Sequence, residues 1–465
     1  MKKFIKSLGV ICLIGIFSFI ITKHYFENNK VKLYNDKLNC ALKYKGLKEA
    51  KDFVLDKEGN FYIAFKDKIQ FIDVKGKSYD ILKKENLNIT SLAYKDKHLY
   101  FTSNNELYSY DIEKKNEKVL INNLPNMGDY NKSLVIIKKD HLYLTIGAAT
   151  NSAVVGKDNK WLSSSPFFSD VSPYSLTLNG KNFGTKGTGA FSTYGTNAVR
   201  GQRVAEHFPG NSSIIIYNLK KGQMETYAWG IRNFKGIDFN SKGKLLASVG
   251  GMEFRGDRPI KGDRDYIYEI NKGTWYGWPD YSGGDPINSP RFKGKDNKPV
   301  SFVLDKHPYT NPPAPLYQHK TLNSLGAIAV DHTGNIFSKD SIIFYEKNEK
   351  TLYSLDNLGI IKKEAEFEKA NIESIKIMDK KLIILDMYEN TTYELKSELN
   401  NRFKQKVNDI EVIIMSVLDK VRLRRIFNLY KPDIVFHAAA YKHVPLMEKS
   451  PVEAIKNNIF GTLNI

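Results

Sequence analysis

A chain of 465 residues with 42% hydrophobic and 12% aromatic side chains can bury a sizeable core, which excludes a disordered polymer. Its formal charge of +19 is spread over turn lysines and is not gathered into one basic helix or aromatic-interleaved stripe, so no nucleic-acid partner is expected. The two cysteines, Cys12 and Cys40, provide neither a disulfide framework nor a metal set.

The chain opens on "MKKFIKSLGVICLIGIFSFIITKHYF", in which Lys2, Lys3 and Lys6 precede an uncharged run from Ser7 to Thr22. That run is shorter than the roughly 20 residues a span prefers, but Lys6 and Lys23 can snorkel and Phe4, Tyr25 and Phe26 suit the interfaces. No A-x-A-like cleavage site follows. Residues 1–29 are therefore expected to be an uncleaved membrane-anchor helix, with a cleaved signal segment as the competing reading. The expected location is the cell membrane, with a single N-terminal span and the rest of the chain on the extracytoplasmic side.

From about Ala50 an alternating strand, a polar turn and a second strand recur six times: "FVLDKEGNFYIAF", "LAYKDKHLYFTS", "LVIIKKDHLYLT", "GIDFNSKGKLLAS", "AIAVDHTGNIF" and "IKIMDKKLIILD". Most units are followed by one more strand, such as "ELYSYDIEKK" or "TTYELKSEL". Regular antiparallel units of about 40 residues predict an all-β fold, a six-bladed β-propeller over 30–398, with a β-sandwich as the alternative. Two insertions, 147–210 and 250–325, interrupt the spacing. Long ordered loops on such a frame crowd one face, where function is expected.

Within that frame "YAWGIRNFKGIDF" (227–239) is followed by "GDRDYIYEINKGTWYGWPDYSGGDP" (262–286). The G-x-R-N and Y-G-W-P elements at this spacing resemble the glucose/sorbosone dehydrogenases, which are related to the soluble pyrroloquinoline-quinone sugar dehydrogenases. The resemblance covers about residues 50–395. It implies pyrroloquinoline quinone and calcium as cofactors, and hydride transfer from a sugar to the quinone while a base takes the hydroxyl proton. The family's arginine-asparagine pair falls on Arg232 and Asn233, and a guanidinium suits the quinone's carboxylates. Asp265 matches an acidic position near the calcium sites, and Asp263 could share it as a hard-cation ligand; solvated turns are the plain alternative. "RGDRP" replaces the family's carbonyl-supplying Gly-Pro. Where the family places its histidine base, this chain has Asp129, a weak base unless burial raises its pKa, and Ser133 replaces an arginine.

His307 and His319, in "HPYTNPPAPLYQH", stand in a loop that could face the channel, and His319 is counted with the cofactor set; packing is the alternative for both. Trp275, Trp278 and Tyr281 in the Y-G-W-P loop are candidates for stacking on sugar rings, against a role as packing aromatics.

After a polar join at 399–408 the composition changes. "IEVIIMSVLD", "KVRLRRIFNLY", "KPDIVFHAAA" and "PVEAIKNNIFGTLNI" read as strand, helix, strand and helix, a short α/β segment over 409–465. With "HAAAYKHVPLMEKSP" it resembles the extended short-chain dehydrogenases of polysaccharide biosynthesis, such as UDP-N-acetylglucosamine 4,6-dehydratase. The resemblance implies that Asp419 meets the adenine of NAD, that Ala438, Ala439 and Ala440 line the cofactor with Lys442 beside them, and that Asn458 is a structural helix residue. No glycine-rich phosphate turn precedes the segment, and Tyr441 and Lys442 lack the Y-x-x-x-K spacing. The segment therefore reads as an incomplete Rossmann fragment, with NAD not expected.

Three functions follow: a quinone-dependent sugar dehydrogenase-like propeller with a degraded site, a non-catalytic propeller that binds carbohydrate or cell-wall glycan, and, from the tail alone, a nucleotide-sugar dehydratase. The anchor helix adds the membrane as a partner.

Overall fold

The computed structural model describes residues 31–36, 38, 40–309, 311–334, 336–368, 371–377, 382–387, 389–402, 410–430, 432, 435, 437–438, 447–448 and 450–465. The chain divides into two compact units, one of residues 1–330 and 340–377 and the other of residues 331–339 and 378–465.

The larger unit is mostly β. Apolar residues at every second position bury one side of each strand, as in His98–Ser103, where Leu99 and Phe101 are fully buried and His98 and Tyr100 only partly. Two-residue turns join many strands. Asp96 and Lys97 both hold positive φ (47° and 63°), the twist a tight antiparallel hairpin needs.

Among the described residues this gives five sheets of four or five strands. The first comprises Asp52–Leu55, Phe61–Ala64, Lys68–Ile72 and Ser78–Lys83, and the second Ile89–Lys95, His98–Ser103, Glu106–Asp111 and Asn116–Ile121. The third is built on Val135–Lys138, His141–Ile146, Ser213–Asn218 and Met224–Trp229, with Thr274–Trp275 added in parallel. The fourth runs Phe234–Phe239, Leu245–Val249, Tyr266–Ile270 and Tyr317–Gln318. In the fifth, Leu325–Asp331, Ser341–Glu346, Thr351–Leu355 and Ile361–Phe367 are closed by Val31–Leu33.

Consecutive sheets pack face to face in chain order, in a propeller-like arrangement. Tyr62, Ile69 and Leu82 of the first meet Leu92, Leu99 and Phe101 of the second. Leu107 and Ile121 then meet Leu142, Leu144 and Ile215, Ile214 and Ala228 meet Leu245 and Ala247, and Leu246 and Ile267 meet Leu325 and Phe344. Each fully buried Leu, Ile or Phe in these seams contributes about 1.5–3 kcal/mol. Aspartates, one buried and one partly buried, pin the seams further. Asp52 accepts from Ser91 Oγ and Leu92 N of the next sheet, both at 2.9 Å, and Asp238 accepts from Val330 N at 2.8 Å.

The sixth expected repeat does not form an antiparallel sheet among the described residues. Leu382–Asp386 instead pairs in parallel with Ile410–Ile414 in the smaller unit, and "TTYELKSEL", read as a strand, lies in the α-helix Glu389–Arg402. Both strands are runs rich in Ile, and Glu, Leu and Lys in the neighbouring segment favour helix. Ile413, Met415 and Leu423 form the small core beneath, with Ile426 and Phe427 of the helix Lys420–Tyr430 against it. The last segment is helical, Pro451–Ile455, Lys456–Phe460 and Gly461–Asn464, with a π-helical turn in its middle.

The expected location at the cell membrane is corrected. No helix among the described residues is long and apolar enough to cross a membrane; the longest, Glu389–Arg402, carries Glu, Lys and Asn throughout. Residues 1–29, on which the anchor expectation rests, lie outside the described residues.

Candidate functional site

Where the third, fourth and fifth sheets begin, a cavity of ≈ 300 Å³ is lined by Asp129, Tyr130, Asn131 and Lys132, by Asn233, Phe234 and Lys235, by Asn323, Gly326 and Ala327, and by Glu253, Lys347, Ile372 and Glu373. Residues 129–132, 233–235 and 323–327 lead into or start the first strands of these sheets, while Glu253, Lys347, Ile372 and Glu373 follow later strands, so the propeller-like packing brings together residues far apart in sequence. The two insertions are stitched over this end. Asn151 Nδ2 donates to Glu253 O at 2.8 Å and Trp278 Nε1 to Asn151 O at 3.2 Å.

Arg232 is almost fully buried and stands at 4.3 Å over the Tyr130 ring. Its Nη1 donates to the Tyr130 hydroxyl, to Asn151 Oδ1 at 2.8 Å and to Glu253 Oε1 at 3.3 Å, and its Nε to Gly250 O at 3.2 Å. Nη2 is buried without a hydrogen-bond partner. A methyl group at Gly250 would lie 3.1 Å from Asn233 Nδ2 and Lys235 Cε and 3.5 Å from that Nη2. Three nitrogen-bearing side chains thus converge over one glycine, the donor set of an anion site. Period-two geometry puts Asn233 and Lys235 on the same side of their strand.

Lys132 pairs with Glu373 at 3.3 Å. Among the described residues neither Lys235 nor Lys347 has a carboxylate within ion-pair distance. Burial pushes the Lys235 ammonium down to about 8, with Lys347 and Arg232 adding repulsion and Asp265 and Glu253 opposing them. Burial also pushes the Tyr130 phenol up to about 12, against the pull of Arg232 and Arg255, so it stays protonated at neutral pH. For Glu253 burial works upward but is outweighed by Arg232, the Tyr130 hydroxyl and Arg255, which hold the carboxylate below its usual range.

Asp129 lines the cavity but both its oxygens are engaged. Oδ1 accepts from Trp161 Nε1 at 2.9 Å, and Oδ2 accepts from Asn159 Nδ2 at 2.9 Å and Arg255 Nη2 at 2.6 Å. The carboxylate is shared among three donors, one a guanidinium, and holds those groups in place. Ser133 is fully buried. His319 does not line the cavity. Its Nδ1 faces the Tyr317 hydroxyl at 3.0 Å and its Nε2 lies 3.6 Å from Glu346.

The acidic pair does not fit a cation. Asp265 is 0% exposed and accepts the backbone N–H groups of Gly251, Asn323, Ser324 and Leu325 at 2.9–3.3 Å. Asp263 accepts from Met252 N, Arg264 N, Tyr266 Oη and Ser282 Oγ, with Arg291 Nη2 at 3.8 Å, and burial pushes its carboxyl up. The oxygens a calcium ion would need are occupied by N–H and O–H donors. No group of three or more His, Cys, Asp or Glu residues placed to hold a metal occurs among the described residues.

The Y-G-W-P aromatics pack inside the fold. Trp275 and Trp278 are buried, Trp275 Nε1 donates to Trp278 O at 3.1 Å, and the Trp275 ring meets Tyr281 edge-on at 5.7 Å and stacks on His307 at 5.9 Å. Their faces are closed to a sugar, and Tyr281 is stacked on Phe302. His307 is placed by Asp280, 3.1 Å from its Nε2. Sequence reasoning missed Tyr130, Lys235, Lys347, Glu253, Arg255 and Trp161; only Lys235, two residues beyond Asn233, had a periodic signal.

In the smaller unit, Asp419 precedes the helix Lys420–Tyr430 and its Oδ1 accepts from Arg422 N at 3.0 Å, the bond of an N-cap. Ala438 is exposed, and Asn458 lies in the π-helical turn Lys456–Phe460. Ala439, Ala440, Tyr441 and Lys442 lie outside the described residues.

Comparison with known proteins gives different relatives for different parts of the chain. The family model described as "Polysaccharide biosynthesis protein" matches residues 368–465. Capsular polysaccharide biosynthesis protein CapD of Staphylococcus aureus is 45% identical over 85 residues, 18% of this chain and 14% of that protein. A UDP-N-acetylglucosamine 4,6-dehydratase (inverting) of Campylobacter jejuni is 39% identical over 85 residues, 18% of this chain and 23% of the enzyme. The chain thus spans less than a quarter of either relative. Among solved structures, the holo pyranose dehydrogenase PQQ domain of Coprinopsis cinerea aligns over 72% of this chain and 86% of its own, at 11% identity and a TM-score of 0.45. The PQQ-bound aldose sugar dehydrogenase of Streptomyces coelicolor aligns over 72% and 85%, at 16% identity and a TM-score of 0.40. The C-terminal segment is thus similar to polysaccharide biosynthesis proteins.

Proposed function

We propose that the five-sheet unit binds a carbohydrate bearing an acidic group in the ≈ 300 Å³ cavity, without oxidising it by the quinone-calcium route. The observation that carries this reading is the pair of lysines, Lys235 and Lys347, facing one cavity without a carboxylate partner, beside Asn233 and the unpartnered Nη2 of Arg232. Asn131, Asn323, Glu253 and Glu373 add the amide and carboxylate groups that hydrogen-bond sugar hydroxyls. A carbohydrate is favoured because the relatives of the C-terminal segment are polysaccharide biosynthesis proteins. Against the oxidative route stand the engaged oxygens of Asp129 and the donor-filled carboxylates of Asp263 and Asp265.

A second reading is favoured by the same Arg232 nitrogen. Pyrroloquinoline quinone is a tricarboxylate, and Arg232, Asn233, Lys235 and Lys347 would hold its acid groups. Bound there, it would supply a two-electron acceptor. No calcium accompanies it in this reading, because Asp263 and Asp265 do not fit one.

Isothermal titration of the full chain separates the readings. Galacturonate is expected to bind and glucose not to, and Lys235→Ala and Lys347→Ala should each weaken galacturonate by about tenfold, the worth of a charge-assisted hydrogen bond. Equal binding of both sugars, or affinity unchanged in both variants, would overturn the acidic-carbohydrate reading. Aldose-dependent dye reduction with added quinone and calcium would replace it with the oxidative one.

A further inference from the structure

Of the chain's four tryptophans, Trp229, Trp275 and Trp278 are buried in the core at 7%, 0% and 5% exposure. Trp161 alone is partly exposed, on the short helical turn Lys160–Ser163 of the first insertion. Its orientation is fixed from two sides. Nε1 donates to Asp129 Oδ1 at 2.9 Å, and the ring meets Phe168 edge-to-face at 5.2 Å. Asp129 lines the cavity, so the indole is tied to the cavity edge through a single hydrogen bond.

The surrounding chain is unusually apolar for a surface. Phe167, adjoining Phe168, is 88% exposed, and Phe254, between the cavity residue Glu253 and Arg255, is 56% exposed. Fixing a half-exposed indole occupies one oxygen of a cavity carboxylate, while Asn159 and Arg255 hold the other. A ring held rigidly beside a pocket rich in cations and amides suits a sugar, whose C–H face lies on an indole while its hydroxyls reach polar neighbours.

We propose that Trp161 is a stacking platform for a pyranose ring of a saccharide whose acidic end occupies the cavity, with Asp129 as its positioning residue. This rests on the acidic-carbohydrate reading of the cavity and extends it from one sugar unit to an oligosaccharide. It gives Asp129 a structural purpose that general-base chemistry does not require. The platform lies outside the Y-G-W-P loop, whose own tryptophans are closed off.

Because the other tryptophans are buried, quenching of tryptophan fluorescence by acrylamide reports on Trp161. Trigalacturonate should protect the wild-type chain from quenching and bind more tightly than galacturonate. Trp161→Ala should weaken trigalacturonate about three- to tenfold more than it weakens galacturonate, the range of an aromatic contact, while Trp161→Phe retains most of the affinity. Asp129→Asn should lower trigalacturonate affinity and raise quenching, as the indole loses its anchor. If trigalacturonate binds no better than galacturonate, or Trp161→Ala binds both as the wild type does, the platform is overturned and the cavity reading stands. If galacturonate fails to bind the wild-type chain, it is the cavity reading that falls.

Discussion

Arg258→Ala is expected to destabilise the five-sheet unit by about 3–5 kcal/mol, the cost of leaving one member of a buried ion pair alone. Arg258 and Asp280 are 1% and 0% exposed and meet at 2.7 Å. Arg258 also donates to the backbone oxygens of Ser152, Pro279 and Ser301, and Asp280 accepts from Val303 N and Leu304 N. One pair therefore clamps both insertions above the cavity. Urea unfolding followed by circular dichroism reads the effect. Asp280→Ala should cost a similar amount, and the double change Arg258→Met with Asp280→Leu should recover part of the loss, because the uncompensated charge is gone. A loss below about 1 kcal/mol in both single variants, the range of a surface pair, would contradict the buried role.

The second large effect is at Asp265. Asp265→Ala removes the acceptor of four backbone N–H groups, three at the start of the fifth sheet and one at Gly251, after the second strand of the fourth. Each orphaned buried donor costs about 1–3 kcal/mol, so the variant is expected to unfold at much lower urea or to fail to fold. Asp265→Asn keeps one oxygen and should be milder. Since those oxygens are committed to backbone donors, calcium should leave the thermal unfolding midpoint of the wild-type chain unchanged. A rise of several degrees on adding calcium would show that the aspartate serves a metal.

The strands were legible because their signal is local. "LVIIKKDHLYLT" has an apolar run, a polar turn at Lys139 and Asp140 and then an alternating run, and it folds as Val135–Lys138 and His141–Ile146. The sixth repeat was not legible, because an apolar strand carries no label for its partner, and Leu382–Asp386 takes a parallel neighbour, Ile410–Ile414, from the tail. In the tail, "KVRLRRIFNLY" has a helical stripe and is the helix Lys420–Tyr430.

The site was legible only in part. The arginine-asparagine pair stood out by motif, and side-chain nitrogens of Arg232 and Asn233 lie near Gly250. Lys347 comes from the start of a loop in another sheet, and nothing local distinguishes it from the many surface lysines. Asp265 looks like a metal ligand in sequence because its backbone donors arrive from Gly251 and from 323–325. A run of aromatics likewise cannot tell a platform from a packed core. Trp275 and Trp278 are packed, and Trp161, in an ordinary Ser-rich stretch, is the partly exposed one.

The cavity's capacity to take an acidic sugar depends on the charge of Lys235, whose ammonium is held down to about 8 by burial and by Lys347 and Arg232. Below that value the lysine is charged and attracts the acid; above it the amine is neutral and the attraction fades. An acid bound beside it raises its proton affinity again, so binding near that value must take up a proton. Isothermal titration of galacturonate into the wild-type chain, in buffers of different ionisation heat and on both sides of 8, measures both quantities at once. The expected result is affinity that falls as pH rises through about 8, with proton uptake in that window. Affinity independent of pH, with no proton taken up, would contradict binding of an acidic carbohydrate at Lys235.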